Sequence, residues 1–301
     1  MTESQCVDHI GFLNVPASFE FEGGRLTLSP DFADLKRDVD SYTNADGFVY
    51  PPMSYKAKLN PKTGSERKIP GTERPKFLHQ LPPSHELYID GTTDLIEARR
   101  SLAGFVMHCF AFLFGTRLQF HDWSFDGRIP MKSAVSTRPT KAQAEKFVSK
   151  AIQTWNEKLD DKSHTLATNV LFMFSRAASP EWDWEQFLFE YMVFDASYKL
   201  AESVDNCHAK RHEERFNAVI RQYGLKNNED LIKGTVRLRN HLFHEALWDQ
   251  GQPTTAQSSE AFFASHHLRR FNHRLITAIL AGPSEYSSSG WWFMGTTAFI
   301  K

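Results

Sequence analysis

One short stretch of the chain carries three polar side chains whose types and spacing suit acid–base chemistry, namely Arg239, Asn240 and His244. A histidine ring titrates close to neutrality and can take up or release a proton during a reaction. A guanidinium can neutralise negative charge that develops on a reacting group, and a neighbouring amide can orient either side chain. Asn240 and His244 are four positions apart and share one face of a helix. We expect these three residues to form the functional centre of the chain.

Arg239 is also out of place in the hydrophobic pattern around it. On a helical wheel at about 100° per residue it falls near the middle of an apolar arc between residues 228 and 249. Asp195 occupies the same kind of position in an apolar arc between residues 182 and 204. Because a buried charge is costly unless it is paired, the two patterns predict that the faces meet and that Asp195 holds the Arg239 guanidinium. A purely structural buried ion pair is the competing interpretation.

The elements that would position these residues are helices. Apolar residues at helical spacing predict helices at 93–118, 140–159, 164–177, 181–204, 208–223, 228–249 and 257–281. Gly224 suits a helix C-terminus, and Asn228 suits the N-cap of the helix that carries Arg239. The pattern therefore predicts a mainly α protein, with a helical region over residues 91–301.

Residues 1–90 are predicted to form a smaller region of different character. Alternation around Gly23-Gly24 predicts a β-hairpin with the cross-strand pairs Phe21–Leu26, Phe19–Leu28 and Glu22–Arg25. Seven prolines between residues 51 and 83 argue against regular structure there, so this stretch is predicted as an irregular loop. Its lysines and arginines favour a solvated loop over an arm that follows phosphates.

The composition is typical of a soluble globular protein. The chain has 301 residues, of which 41% are hydrophobic and 24% charged, and its formal net charge is -1. Any binding to nucleic acid must therefore come from a local patch. Three scattered cysteines, the lack of a signal-peptide pattern and the lack of a long apolar run predict a cytoplasmic protein without a membrane partner. The sequence contains no Gly-rich phosphate loop, no Gly-x-Ser-x-Gly and no His-Glu-x-x-His, which argues against nucleotide hydrolases, esterases and metalloproteases.

The stretch Arg239-Asn240-x-x-x-His244, taken as opening a helix after a short loop, resembles the Arg-x4–6-His motif of HEPN domains. In that family a polar residue commonly follows the arginine, as Asn240 does here. Many HEPN domains also carry an acidic residue on an upstream helix that faces the motif. Asp195 is the first candidate for that position and Glu190 the second. The resemblance covers about residues 181–281, behind an N-terminal region, and this layout is similar to that of some prokaryotic defence proteins.

The resemblance implies a C-terminal HEPN-like helical bundle that forms a homodimer, with two motifs facing one cleft. It implies metal-independent RNA cleavage, in which the 2′-hydroxyl attacks the adjacent phosphate and leaves a 2′,3′-cyclic phosphate and a 5′-hydroxyl. His244 is then the general acid or base, Arg239 the phosphate stabiliser, Asn240 a positioning residue and Asp195 the residue that orients Arg239. The resemblance also suggests a toxin or antiviral effector with an inhibitory or triggering protein partner, and no cofactor.

Two further functions stay open beside the ribonuclease. One is a non-catalytic HEPN-like module that senses a nucleotide, an RNA or a protein. The other is a structural helical domain in which Arg239 and Asp195 form only an ion pair. For the ribonuclease, possible RNA-binding residues are Arg237, His241, Arg269 and Arg270. The favoured alternative places the apolar residues after residue 260 in the core and leaves the arginines merely exposed.

Two groups of histidines have spacings that a metal site could use. His208 and His212 are four positions apart, but the sequence shows no third ligand and charged residues surround them. His266, His267 and His273 alternate with arginines, which would repel a cation. Solvated or structural histidines are the favoured interpretation for both groups, and no metal is expected.

Overall fold

The computed structural model describes residues 5–50, 57–59, 63–68, 78–91, 94–131, 139–249, 259–293 and 299. These residues form a mainly helical protein with a small sheet in its N-terminal part, which confirms the predicted fold class. In chain order the strands are β1 (Gln5–Gly11), β2 (Phe19–Phe21), β3 (Gly24–Leu28), β4 (Phe48–Val49), β5 (Ala57–Leu59), β6 (Glu66–Lys68), β7 (Leu78–His79), β8 (Pro83–Ile89), β9 (Gln119–Phe120), β10 (Phe125–Asp126) and β11 (Ile129–Pro130). The helices are α1 (Phe32–Ser41), α2 (Leu95–Arg100), α3 (Leu102–Phe114), α4 (Lys141–Lys158), α5 (Asp161–Arg176), α6 (Asp183–Asp205), α7 (His212–Tyr223), α8 (Glu229–Glu245) and α9 (Ser259–Ala281).

The main sheet has five strands in the order β2-β3-β8-β1-β9, and its neighbouring strands are antiparallel. β8 lies at its centre and pairs with β1 on one side and β3 on the other. Beyond residue 90 the chain returns to this sheet, because β9 pairs with β1. The division of the chain near residue 90 stays a prediction.

The predicted hairpin exists, but the predicted register differs from the observed one by two residues. Phe19 pairs with Leu26 and Phe21 with Gly24, so the turn is Glu22-Gly23. Gly23 has a φ of 79°, which a residue without a side chain adopts at little cost. Gly24 is a strand residue, where an added Cβ would lie 2.3 Å from the Tyr88 carbonyl oxygen. Since side chains alternate with a period of two, a shift of two residues leaves the apolar face towards the core.

The proline-rich segment contains more regular structure than its sequence predicts. β5 and β6 pair with each other as a short antiparallel ribbon, and β8 begins at Pro83. A proline is tolerated there because the first residue of a strand need not donate to the ladder. Residues 51–56, 60–62 and 69–77 lie outside the described residues, as do most of the lysines and arginines of the predicted loop.

The helix predicted at 93–118 is interrupted. α2 ends at Arg100 and α3 begins at Leu102, with Ser101 between them in a non-helical conformation. α3 is almost entirely buried, and Gly115 ends it in the left-handed conformation that a helix C-terminus often takes. This apolar helix therefore lies inside the fold, where it packs against α4, α5 and β8.

One hydrophobic core runs from the sheet into the helices. It includes Phe19 and Leu26 of the hairpin, Phe110 of α3 and Phe194 of α6. Within the helical part, α6 packs against both α5 and α9, and α3 packs against α5. α6 is therefore a central helix, and residues on its remaining face are held in place by its packed neighbours. No helix in the described part of the chain is long and apolar enough to cross a membrane.

Candidate functional site

Helices α7 and α8 are connected by a short loop with the expected signals. Gly224 ends α7 with a φ of 63°, and the Asn228 side chain accepts a hydrogen bond from the Leu231 N–H at 3.2 Å, which caps α8. α8 ends at Glu245, and Ala246 follows with a φ of 54°. Arg239 and His244 thus lie in the last two turns of α8. The expectation that the motif opens a helix was wrong: the motif closes one.

The three motif residues contact each other directly. One terminal nitrogen of Arg239, Nη1, donates to Asn240 Oδ1 and approaches His244 Nε2, each at 3.1 Å. Since a guanidinium only donates, His244 Nε2 is the acceptor in this contact. Asn240 and His244 are exposed and Arg239 is half-buried. The motif therefore presents an unprotonated imidazole nitrogen, a guanidinium and an amide at the protein surface.

The Arg239 guanidinium lies against two neighbouring aromatic rings. Its central carbon is 4.7 Å from the centroid of the Phe243 ring and 5.9 Å from that of Tyr191, distances typical of cation–π contacts. Phe243 is 45% exposed, whereas Tyr191 is buried. Among the described residues no carboxylate pairs with Arg239, and its buried Nε has no hydrogen-bond partner. Within the part of the chain that the structure describes, the positive charge of Arg239 therefore lies against rings and has no acidic partner.

The predicted pair between Asp195 and Arg239 was wrong. Asp195 Oδ1 accepts instead from Arg215 Nη1 of α7, at 2.9 Å. A helical wheel gives the angular position of each residue but does not reveal that a third helix supplies a closer cation. Asp195 still belongs to the same site, because its charge and that of Arg239 both act on Tyr191, with which Arg239 is in contact.

His212 is the second imidazole of this site. Its Nδ1 lies 3.0 Å from the Tyr191 hydroxyl and 4.0 Å from Asp195 Oδ1. Burial lowers the pKa of His212, Arg239 lowers it further, and Asp195 partly opposes both. Burial likewise raises the pKa of Tyr191, so this hydroxyl keeps its proton at neutral pH. Tyr191, His212 and Arg215 thus join the predicted residues in one cluster formed by α6, α7 and α8.

Glu190 and Arg269 do not belong to the site, and both predictions were wrong. The Glu190 carboxylate is buried and accepts hydrogen bonds from Arg269 Nη1 at 2.6 Å and Asn272 Nδ2 at 2.8 Å. Arg269 also donates to the Phe174 carbonyl oxygen at 2.9 Å. These bonds join α6, α5 and α9 in the interior. An RNA cannot reach side chains that are enclosed in this way.

The other suggested RNA-binding residues differ in exposure. Arg270 is buried on α9, so its prediction as a surface residue was also wrong. Arg237 is exposed and His241 half-buried on α8, and their role in binding RNA stays a prediction. The His241 carbonyl oxygen accepts from the Leu247 N–H at 3.2 Å, so its backbone helps to end α8 next to the motif.

The histidine groups considered for metals occupy separate environments. His208 precedes α7, whose first residue is His212, so the two do not share a helical face, and His208 Nδ1 lies 3.1 Å from Glu202. His273 is buried, stacks on Phe112 and lies 2.6 Å from the Tyr286 hydroxyl. In the described part of the chain no three potential ligands cluster as a metal site would need.

The sequence holds only a weak signal for Tyr191, His212 and Arg215. Tyr191 and Asp195 are four positions apart, and His212 and Arg215 are three apart, so each pair occupies one helical face. The tyrosine also fits an apolar arc and the histidine a charged surface stretch. Those ordinary interpretations hide them until the helices are packed together.

Searches against protein-family models, curated proteins and solved structures found no match to this chain. The site combines two imidazoles, two guanidiniums and one carboxylate at the surface. Among the described residues of the cluster two guanidiniums stand against one carboxylate, so the cluster has a net positive charge and suits an anionic ligand.

Proposed function

We propose that this chain is a metal-independent endoribonuclease of the HEPN type, with its active site at Arg239, Asn240 and His244. The observation that carries the proposal is the 3.1 Å contact between Arg239 Nη1 and His244 Nε2 at the surface. It brings a group that can accept a proton next to a group that can neutralise phosphate charge.

In the proposed reaction the phosphodiester binds to Arg239, whose positive charge no carboxylate neutralises in the described part of the chain. Arg239 then turns from His244 towards the phosphate and leaves the Nε2 lone pair available. His244 Nε2 takes the proton of the 2′-hydroxyl while the 2′-oxygen attacks phosphorus. The bond from phosphorus to the 5′-oxygen breaks, the 5′-oxygen takes up a proton, and the products are a 2′,3′-cyclic phosphate and a 5′-hydroxyl. Asn240 holds Arg239 through its 3.1 Å hydrogen bond and limits where the guanidinium can turn.

The test is cleavage of a mixed-sequence RNA by the purified chain in excess EDTA, with analysis of the ends of the fragments. We expect a 2′,3′-cyclic phosphate and a 5′-hydroxyl, and no cleavage of DNA of the same sequence. His244→Ala should lower the rate by about 100-fold to 10,000-fold, the usual contribution of a general acid or base. Arg239→Ala should lower it by about 100-fold or more. His208→Ala is the matched control, because it removes an exposed imidazole outside the cluster.

A different result would contradict the proposal. If wild type and the two site variants leave every RNA tested intact, the nuclease proposal fails. Binding of RNA that still depends on Arg239 would then favour the non-catalytic sensor module. Cleavage that EDTA abolishes, or that leaves a 5′-phosphate, would point to another mechanism.

The biological setting follows from the same proposal. A ribonuclease of this type would act in the cytoplasm as a toxin or antiviral effector and would need a partner protein that inhibits or triggers it. A homodimer would place two copies of the Arg239 site in one cleft. Light scattering of the purified chain would measure the dimer, and growth on induction of wild type against His244→Ala would measure the toxicity.

A further inference from the structure

His212 has no role in the reaction as proposed so far, although it lies in the same cluster. It is the first residue of α7 and its side chain is 26% exposed. The groups that face it come from all three helices: Tyr191 and Asp195 from α6, Arg215 from α7, and Arg239 and His244 from α8. A histidine among these groups is within electrostatic range of both motif side chains.

The ring of His212 is held at one nitrogen. Nδ1 lies 3.0 Å from the Tyr191 hydroxyl, and the Asp195 carboxylate is 4.0 Å away on that side. Arg215 donates to the same carboxylate oxygen and thereby fixes it. Nε2 has no hydrogen-bond partner among the described residues. The ring is thus oriented through Nδ1 and leaves Nε2 for a ligand, an arrangement common to histidines that transfer protons.

The two imidazoles of the site have opposite surroundings. His244 Nε2 faces a guanidinium, which requires an unprotonated nitrogen. The Nδ1 side of His212 faces a hydroxyl oxygen and a carboxylate, both of which can accept a hydrogen bond from an imidazolium. Burial and Arg239 lower the pKa of His212, which makes it a stronger acid once it is protonated. A bound phosphodiester would offset the effect of Arg239 because its charge is negative.

We propose that His212 is the second catalytic residue of the site and that it protonates the leaving 5′-oxygen from Nε2, with Tyr191 and Asp195 as its positioning residues. This inference rests on the proposed ribonuclease function. In the step, the 2′-hydroxyl proton goes to His244, the bond from the 2′-oxygen to phosphorus forms, and the bond from phosphorus to the 5′-oxygen breaks. The proton of His212 goes to that 5′-oxygen. His244 then gives its proton to water and His212 takes one from water, which restores both rings. No metal or other reactant is consumed.

The experiment compares two substrates that differ in one atom. One is an RNA with a single cleavable phosphodiester, and the other has sulfur in place of its bridging 5′-oxygen. A thiolate leaves without being protonated, so the sulfur substrate does not need a general acid. We expect His212→Ala to slow cleavage of the oxygen substrate by about 100-fold or more. The same variant should cleave the sulfur substrate within a few-fold of wild type.

Three controls make the comparison decisive. His244→Ala should slow both substrates, because the 2′-hydroxyl must lose its proton in either case. His208→Ala should slow neither. Tyr191→Phe removes the hydroxyl that faces Nδ1 and should slow the oxygen substrate more than the sulfur one. Cleavage of the sulfur substrate by His212→Ala also shows that this variant is folded.

Two outcomes would overturn the assignment of His212. If His212→Ala slows both substrates equally, its role is structural or concerns the first proton transfer. If it slows neither, His212 is not involved. In both cases wild type still cleaves RNA, so the ribonuclease proposal survives. If wild type cleaves neither substrate, the proposed function itself has failed.

Discussion

We expect the loss of the buried pair of Glu190 and Arg269 to cause the largest decrease in the free energy of unfolding. Both side chains are almost inaccessible, with 1% and 6% exposed, and their charged atoms are 2.6 Å apart. Asn272 Nδ2 donates to Glu190 at 2.8 Å. Arg269→Met keeps most of the aliphatic volume and removes the cation. The Glu190 carboxylate would then be buried with only the amide of Asn272 as a donor.

The expected size of the effect follows from what each variant leaves behind. Removal of one partner of a buried ion pair costs about 3–5 kcal/mol, because the other charge stays desolvated. Nε and Nη2 of Arg269 and Oδ1 of Asn272 have no hydrogen-bond partner among the described residues, so the network recovers only part of its desolvation cost. Replacement of both charges, Glu190→Met with Arg269→Met, should therefore cost about 1–2 kcal/mol, mostly for the unpaired Phe174 carbonyl oxygen.

Urea denaturation followed by circular dichroism would measure the free energy of unfolding of the wild type, the two single variants and the double variant. A double-mutant cycle then gives the coupling energy of the pair. We expect each single variant to be less stable than the double variant. The reasoning is refuted if Arg269→Met costs less than about 1 kcal/mol, or if the double variant costs the sum of the single ones.

Three other perturbations follow from the structure. Burial lowers the pKa of His108 to about 4, below its unfolded value of 6.5, so this histidine makes the protein lose stability as the pH falls from about 6.5 towards 4. His108→Leu should reduce the loss in unfolding free energy between pH 7 and pH 5 by about 2 kcal/mol, and an unchanged pH dependence of urea denaturation would contradict this. Ala246 has a φ of 54°, a conformation that glycine adopts at less cost than alanine. Ala246→Gly should therefore stabilise the fold by about 0.5–1 kcal/mol and raise the melting temperature. A lower melting temperature would count against a strained residue there. Arg239→Lys should lower the cleavage rate by about 10-fold or more, since an ammonium cannot reproduce the planar contact with Phe243, and full activity in the assay for RNA cleavage would show that charge alone suffices.

Local patterns in the sequence predicted the parts of this fold that local interactions determine. The helices that carry the site lie within a few residues of their predicted bounds, because apolar spacing and the capping residues Gly224 and Asn228 are encoded nearby. β1 and β8 were not predicted. Their pairing joins residues far apart in the chain, such as Ile10 and His85, and no local period reports such a contact.

The candidate site likewise combines contacts that local spacing predicts with contacts that depend on how the helices pack. Arg239, Asn240 and His244 lie within six positions on one helix, so their contact could be predicted from spacing. The partner of Asp195 could not, because it depends on how α6 and α7 pack. Glu190 and Asp195 lie on one helix, and both were candidates to face the motif, with Asp195 the first and Glu190 the second. Packing directs Glu190 into the interior towards α9 and Asp195 towards the site.

Phe243 and Tyr191 hold the Arg239 guanidinium, and this has a consequence for how long an RNA would stay bound. In the described part of the site a single guanidinium lacks a carboxylate, and the whole chain has a net charge of -1. Each copy of the site would then make one phosphate contact, and one such contact on single-stranded RNA gives a slope of about −0.7 for the logarithm of affinity against the logarithm of salt concentration. Affinity would then hardly grow with the length of the RNA. An enzyme of this design would act distributively, leaving the strand after each cut and meeting the next bond by a new collision.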